Sequence, residues 1–251
     1  MQDIRRIPNT VKSERQIQFS GLLTNQLLTN LPGPVFASVL PYLEPISLSS
    51  GQEIYACGTE IESVYFTETA VISQLSYLED GSATEVALIG NEGVVGLTSI
   101  LDSRPNAHWT KATIGGTALR ANVDVVREEF RRAGAFQKQI LAFTSSYLNQ
   151  VSQRAVCNSR HRLEERLCAW LLMVHDRARG GQLPLTHEII AEHLGARRAG
   201  ITSFCTLLRE YGAIAYQRGV ISIVNRQLLE EMACECYRAV VLFHRPPALN
   251  Q

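Results

Sequence analysis

The chain has 251 residues, 45% of them apolar and 19% charged, with 24 basic against 24 acidic side chains and no formal net charge. This is enough for two compact domains and excludes a disordered or fibrous chain. Attraction of nucleic acid by bulk charge is also excluded, so any such contact has to arise from local clustering.

The opening, MQDIRRIPNTVKSERQIQFS, is polar, mixed in charge and without the apolar core of a signal peptide. Residues 1–20 are expected to form a flexible arm. No apolar run anywhere approaches the roughly 18 residues of a membrane span, so a cytoplasmic protein with no membrane partner is expected. Apolar spacing begins near Leu22, and Pro34 reads as the first-turn proline of a short helix, VFASVLPYL. From Pro45 to about Val126 the pattern changes to short alternating strands punctuated by glycines, with SVYFT, VISQLSYLE, TEVALI and TALRAN as strands and LEDGSA as a hairpin turn. That spacing predicts an antiparallel β-sandwich or roll over residues 21–134.

Beyond Val126 the period becomes helical. A central helix is predicted at 135–158, where Leu141, Thr144, Leu148, Val151 and Ala155 recur at spacings of three and four, beside a second stripe of Ile140, Phe143 and Tyr147. Two apolar stripes need two partners. One is assigned to the β-roll and the other to the same helix of a second subunit; packing of both within one monomer is the alternative. The next helix, RHRLEERLCAWLLMVHDRARGG, ends at Gly180-Gly181, and Thr186 has the chemistry of an N-cap for another helix directly behind it.

From His187 the residues Ala191, Gly195 and Ile201 fall at the spacing of a helix-turn-helix. The small Ala191 lets two helices cross, Gly195 supplies the positive φ of a tight turn, and Ile201 with Phe204 anchors the second helix. Left pointing outward are Arg197, Arg198, Ala199, Thr202, Ser203 and Thr206, a short or basic set without acidic groups that suits a DNA major groove. After Gly212, AIAYQRGVISIV reads as a hairpin around Arg218-Gly219, a wing whose Arg218 is set to meet a phosphate. Residues 159–251 are thus expected to form a winged helix-turn-helix domain that binds double-stranded DNA.

The six cysteines (Cys57, Cys157, Cys168, Cys205, Cys234, Cys236) lack the paired spacings of a zinc module and are expected as thiols. Cys168 and Cys205 read as small core residues. Cys234-Glu235-Cys236 is the one close pair, but placed on a helix its thiols would point about 200° apart, so no metal site and no cofactor is expected.

A β-roll, a long helix and a C-terminal winged helix, in that order, make an α+β chain that resembles the Crp/Fnr family of bacterial transcription regulators over roughly residues 20–235. The strings that carry the resemblance are SSGQEIYACGTEIESVYFTETAVIS and LEDGSATEVALIGNEGVVG in the roll, and LPLTHEIIAEHLGARRAGITSFCTLLREYGAI with RGVISIV behind it. The resemblance implies a cyclic-nucleotide-binding-like roll that senses a signal and a homodimer that reads a palindromic operator. RNA polymerase is implied as a further partner if the protein activates. Family members that bind cyclic AMP carry a phosphate cassette with Gly-Glu near its start and Arg-Ser or Arg-Thr near its end. Here Glu92 precedes Gly93, and His108-Trp109-Thr110 holds the later position, with Lys111 and Arg104 the nearby cations. Glu92, Gly93, His108, Trp109 and Lys111 are therefore the candidates for an effector pocket, and cyclic AMP is not the expected effector. The N-terminal cysteines of iron-sulfur members are missing, and His108 is the lone candidate haem ligand. In the recognition helix Arg198 aligns with the first Arg of the common family pattern, Ala199 replaces its Glu and Ser203 its second Arg. No catalytic constellation stands out, so the chain is not read as an enzyme. The competing expectation is a ligand-binding or protein-interaction module without specific DNA binding.

Overall fold

The computed structural model describes residues 23–244, so the arm expected at 1–20 lies outside the described residues. The chain enters through two short helices, α1 (Gln26–Thr29) and α2 (Gly33–Val39), the second with Pro34 in its first turn as expected but passing into a 3-10 turn at Leu40–Tyr42. Eight strands come next: β1 (Glu44–Leu48), β2 (Glu53–Tyr55), β3 (Ser63–Thr67), β4 (Val71–Tyr77), β5 (Ala83–Ile89), β6 (Val94–Val95), β7 (Trp109–Ile114) and β8 (Gly116–Asn122). They form two antiparallel sheets, ordered β1-β8-β3-β6 and β2-β7-β4-β5, which face each other across an apolar core that includes Val64, Phe66, Ile72 and Ile89. The Asp80-Gly81 turn joins β4 to β5 with Gly81 at φ +80°, as the LEDGSA string predicts. Within the strand region the structure adds a short helix that no sequence signal marks, α3 (Leu97–Leu101), which starts from Gly96 in the left-handed region.

After α4 (Val123–Arg131) comes the long helix α5, Ala135–Arg160, slightly longer than the 135–158 expected. Its Ile140 and Phe143 are buried in the roll core, with Tyr147 packed against it. The other stripe is left open: Leu141 and Leu148 are 48% and 58% exposed, Ala155 is exposed, and Thr144 and Val151 are half-buried. Helix α5 turns at His161-Arg162 into α6 (Leu163–Arg177), after which β9 (Gln182–Leu183), α7 (His187–Leu194), α8 (Arg198–Glu210), β10 (Ile214–Gln217), β11 (Val220–Ile223), α9 (Arg226–Met232) and α10 (Cys236–His244) complete the chain. Strands β10, β11 and β9 form a small sheet, and a second core built on Leu167, Trp170, Leu171, Ile190 and Ile201 fills this half.

The two halves meet across the β2-β7-β4-β5 sheet. Strand β4 is buried along most of its length rather than alternating, because α5, α6 and α7 cover the face that the roll core does not. The polar residues on that outer side are buried and hydrogen-bonded. Glu85, 1% exposed, accepts from Ser73 Oγ (2.8 Å) and from Trp170 Nε1 (3.0 Å to each carboxylate oxygen), and Arg154 Nη2 lies 3.4 Å from it. Gln150 of α5 accepts from the Leu88 N–H (2.7 Å) and donates to the Leu88 carbonyl (3.1 Å), standing in for a neighbouring strand along β5. Breaking one side of a buried ion pair costs more than replacing both sides with apolar groups. Glu85→Leu, which strands Arg154, is expected to lose about 3–5 kcal/mol in urea unfolding, and adding Arg154→Met is expected to recover much of that loss; a Glu85→Leu protein as stable as the parent would contradict the role given to this carboxylate.

Candidate nucleic-acid interface

Helix α7 opens at Thr186, whose side-chain oxygen accepts from the Ile189 N–H (3.3 Å), and closes at Gly195, which takes the left-handed conformation (φ +59°, ψ +44°) that the turn requires. Ile190, Ala191 and Leu194 are buried against Ile201, Cys205 and Leu208 of α8, the close crossing that the small Ala191 permits. Arg197 is the N-cap residue of α8. Arg198, Ala199, Thr202 and Ser203 line the exposed side of its first turns, while Thr206 is half-buried and its hydroxyl returns to the Thr202 carbonyl (2.9 Å). The wing turn matches its sequence signature: Gln217 pairs with Val220, and the two residues between them, Arg218 and Gly219, have φ +50° and +80°. Arg218 is exposed at the tip.

One property of this face departs from the sequence pattern, in which it is free of acidic groups. Glu188, from the first turn of α7, lies 3.4 Å from Arg198, both side chains being more than two-thirds exposed. The carboxylate comes from the neighbouring helix, so the spacing along α8 alone could not reveal it. An exposed pair of this kind is worth about 0–1 kcal/mol, little enough for a phosphate or base edge to displace. Nor does the sequence pattern mark His187. Its ring stacks on Tyr216 of the wing at 4.3 Å between centroids and 21° between planes, and its Nδ1 is 3.0 Å from Thr202 Oγ1. Burial, reinforced by the Arg198 guanidinium, holds this imidazole below its ordinary pKa. It thus ties wing, first helix and second helix together.

The five effector candidates are each engaged in contacts of their own. Glu92 pairs with Arg177 of α6 at 2.6 Å, both side chains nearly buried, and Gly93 lies beneath Phe143 of α5, where an added Cβ would come within 2.4 Å of the ring. Lys111 leaves the roll towards α7, 3.4 Å from Glu192, whose carboxylate also accepts from Tyr77; Trp109 packs edge-on to that tyrosine at 5.9 Å. His108 meets Ser76 Oγ through Nδ1 (3.0 Å), and burial lowers its pKa. Arg104 is 84% exposed and bound to Asp102. These side chains are engaged in contacts around the roll, several of them joining it to the C-terminal half.

Residues 165–232, from α6 through the wing to α9, match the Crp-like helix-turn-helix domain. No curated protein matches the sequence. Among solved structures, FixK2 from Bradyrhizobium japonicum superposes with a TM-score of 0.65 at 21% identity, covering 76% of this chain and 98% of that one. This chain has the Crp/Fnr regulator fold. A transcriptional regulator of the Crp/Fnr family from Eubacterium rectale gives 0.65 at 16% identity, over 82% of this chain and 97% of its own. The c-di-GMP-responsive regulator CLP of Xanthomonas campestris gives 0.64 at 12%, over 77% and 100%. The α+β architecture read from the sequence is that of these regulators, with a Crp-like DNA-binding domain at its C-terminal end, and no helix among the described residues is long and apolar enough to cross a membrane.

The turn between α7 and α8 carries a direct test. A side chain forced into the left-handed region costs about 1–2 kcal/mol, and a Cβ at Gly195 would also meet Thr84 Oγ1 at 3.2 Å. Gly195→Ala is expected to lower stability by at least that amount in thermal unfolding; a neutral outcome would show that the turn relaxes freely.

Proposed function

We propose that the protein is a homodimeric transcription regulator in which the roll (residues 21–134) senses a signal, the long helix (135–158) forms the dimer and the C-terminal part (159–251) reads a palindromic operator. It acts in the cytoplasm, with RNA polymerase as a further partner if it activates. The observation that carries this reading is the exposed basic start of α8, flanked by Arg218 on the wing, at the end of a chain whose long helix leaves an apolar stripe uncovered. Arg198 supplies a guanidinium that can pair with guanine O6 and N7; Ala199, Thr202 and Ser203 are short enough to let the helix into the groove. Arg197, Arg218 and Thr186 at the edges are suited to phosphates. The signal is proposed not to be cyclic AMP. A cyclic phosphate needs fixed donors, best a guanidinium, whereas Arg104 is engaged with Asp102 at the surface and Lys111 is turned towards Glu192.

Four outcomes test the proposal. Leu148→Asp would place a charge against its symmetry mate and is expected to convert a dimer to monomer in sedimentation; a parent chain already monomeric at micromolar concentration refutes the seam. In binding to operators selected from random duplexes, Arg198→Ala is expected to cost about 1–3 kcal/mol and relax preference at one base position, while Arg218→Ala weakens all duplexes alike and lowers the salt slope by about one unit. Glu188→Gln, which frees Arg198, is expected to tighten binding, and identical behaviour of the two arginine variants would contradict their roles. Finally, saturating cyclic AMP is expected to leave the thermal midpoint unchanged, whereas a ligand at about 100 times its dissociation constant would add about 2.7 kcal/mol.

A further inference from the structure

The thiols of Cys234 and Cys236 do not diverge, because Cys234 lies outside the helix, before the turn that leads into α10, and only Cys236 is helical. Both turn towards the end of α5, where Cys157 and His161, four positions apart, share one face. Cys157 Sγ is 3.5 Å from Cys234 Sγ, Cys236 Sγ is 3.4 Å from His161 Nδ1, and all four donor atoms lie within 4.8 Å of one another. A tetrahedral zinc ion with three thiolates and one imidazole sets its sulfurs about 3.8 Å apart and sulfur from nitrogen about 3.6 Å. The Cys157–Cys234 and Cys236–His161 contacts lie close to those values, and the remaining separations stay within 4.8 Å. They are too tight for an iron-sulfur cluster, whose thiolates are spread over several metal atoms.

The surroundings are also those of a ligand set. The other imidazole nitrogen, His161 Nε2, is 3.3 Å from Glu235 Oε2, the carboxylate-histidine arrangement that orients a metal-bound imidazole. Gln153 Nε2 donates to Cys236 Sγ at 3.0 Å, as an amide does to a thiolate. The three cysteines are buried, while Glu235 at the histidine edge is exposed and gives an ion a path in.

We propose that Cys157, His161, Cys234 and Cys236 form a mononuclear site for a thiophilic divalent metal ion of the zinc class, pinning the junction of α5 and α6 to the segment that leads into α10. His161 is the residue at which the long helix ends and the chain turns into the DNA-binding half. An ion held there restrains that joint, in a position separate from both the roll interior and the α8 face. The site stands whether or not the chain reads DNA.

The test uses the purified full-length chain, stripped with a chelator under reductant and titrated with cobalt(II), then zinc. The expected result is one cobalt per chain, with visible bands of a tetrahedral ion and near-ultraviolet charge transfer from thiolates, bleached by zinc. Zinc should raise the thermal midpoint until one equivalent is bound. Cys234→Ser should weaken the thiolate charge transfer and the binding, and His161→Gln, at the solvent edge where folding is least at risk, should also weaken binding. Glu235→Gln should lower affinity about 10–100-fold, and Cys57→Ser, an exposed cysteine in the roll, should change nothing. The proposal is overturned by no stoichiometric binding, by an octahedral cobalt spectrum, by binding indifferent to Cys234→Ser and His161→Gln, or by a Cys157–Cys234 disulfide that forms equally with zinc present.

Discussion

The Glu85 carboxylate is the point at which the roll, the long helix and the DNA-binding half are joined. Its partners Ser73, Arg154 and Trp170 come from β4, α5 and α6, and the Trp170 ring lies 5.3 Å from His193 of α7. His193 Nε2 in turn reaches Thr113 Oγ1 of β7 at 3.1 Å, which returns to Ser73. This buried polar circuit holds the first helix of the helix-turn-helix against the outer sheet. With every member sequestered from water, losing one leaves the others unsatisfied, so the circuit favours a single arrangement of the two halves over a continuum.

The joint is mixed, since Val71, Leu88 and Ile114 of the sheet pack into the apolar core of the C-terminal half beside these polar groups, and the two kinds of contact differ in how they can open. Groups that hydrogen-bond each other across an interface can exchange those bonds for water, whereas separated apolar surfaces cannot. Glu92–Arg177 and Lys111–Glu192 are further polar links across the same boundary. A change in the roll that disturbs β5 or the turn after it therefore has a physical route to α6 and α7, and from there to the Arg198 face. In this arrangement Gly93 under Phe143 fixes how closely the turn after β5 approaches the long helix, since no larger residue fits there.

Much of this was legible in the sequence because local rules decided it. Thr186, Gly195, Gly212 and the Arg218-Gly219 pair punctuate helices and hairpin at the positions where caps and positive-φ turns are required. The strands of the roll announced themselves by alternation and glycine turns. The exposed set on α8 came from helical period alone. Where the sequence pattern misleads, a second element intervenes: Glu188 reaches Arg198 from another helix, and Tyr216 meets His187 from the wing.

What the sequence by itself determined was the succession of elements and the side each presents, since period, cap and turn chemistry act within a few residues. Only the tertiary structure decided which faces are covered. Ser73, Glu85 and Thr113 have the polarity of solvent-facing strand residues yet are buried, because three helices lie on that sheet. Likewise Lys111 and Glu92, which the sequence offered to one pocket, are drawn to α7 and α6. Cys157 and Cys234 are 77 positions apart and touch only because α10 folds back along α5. Such contacts depend on how distant segments pack, and no local pattern records them.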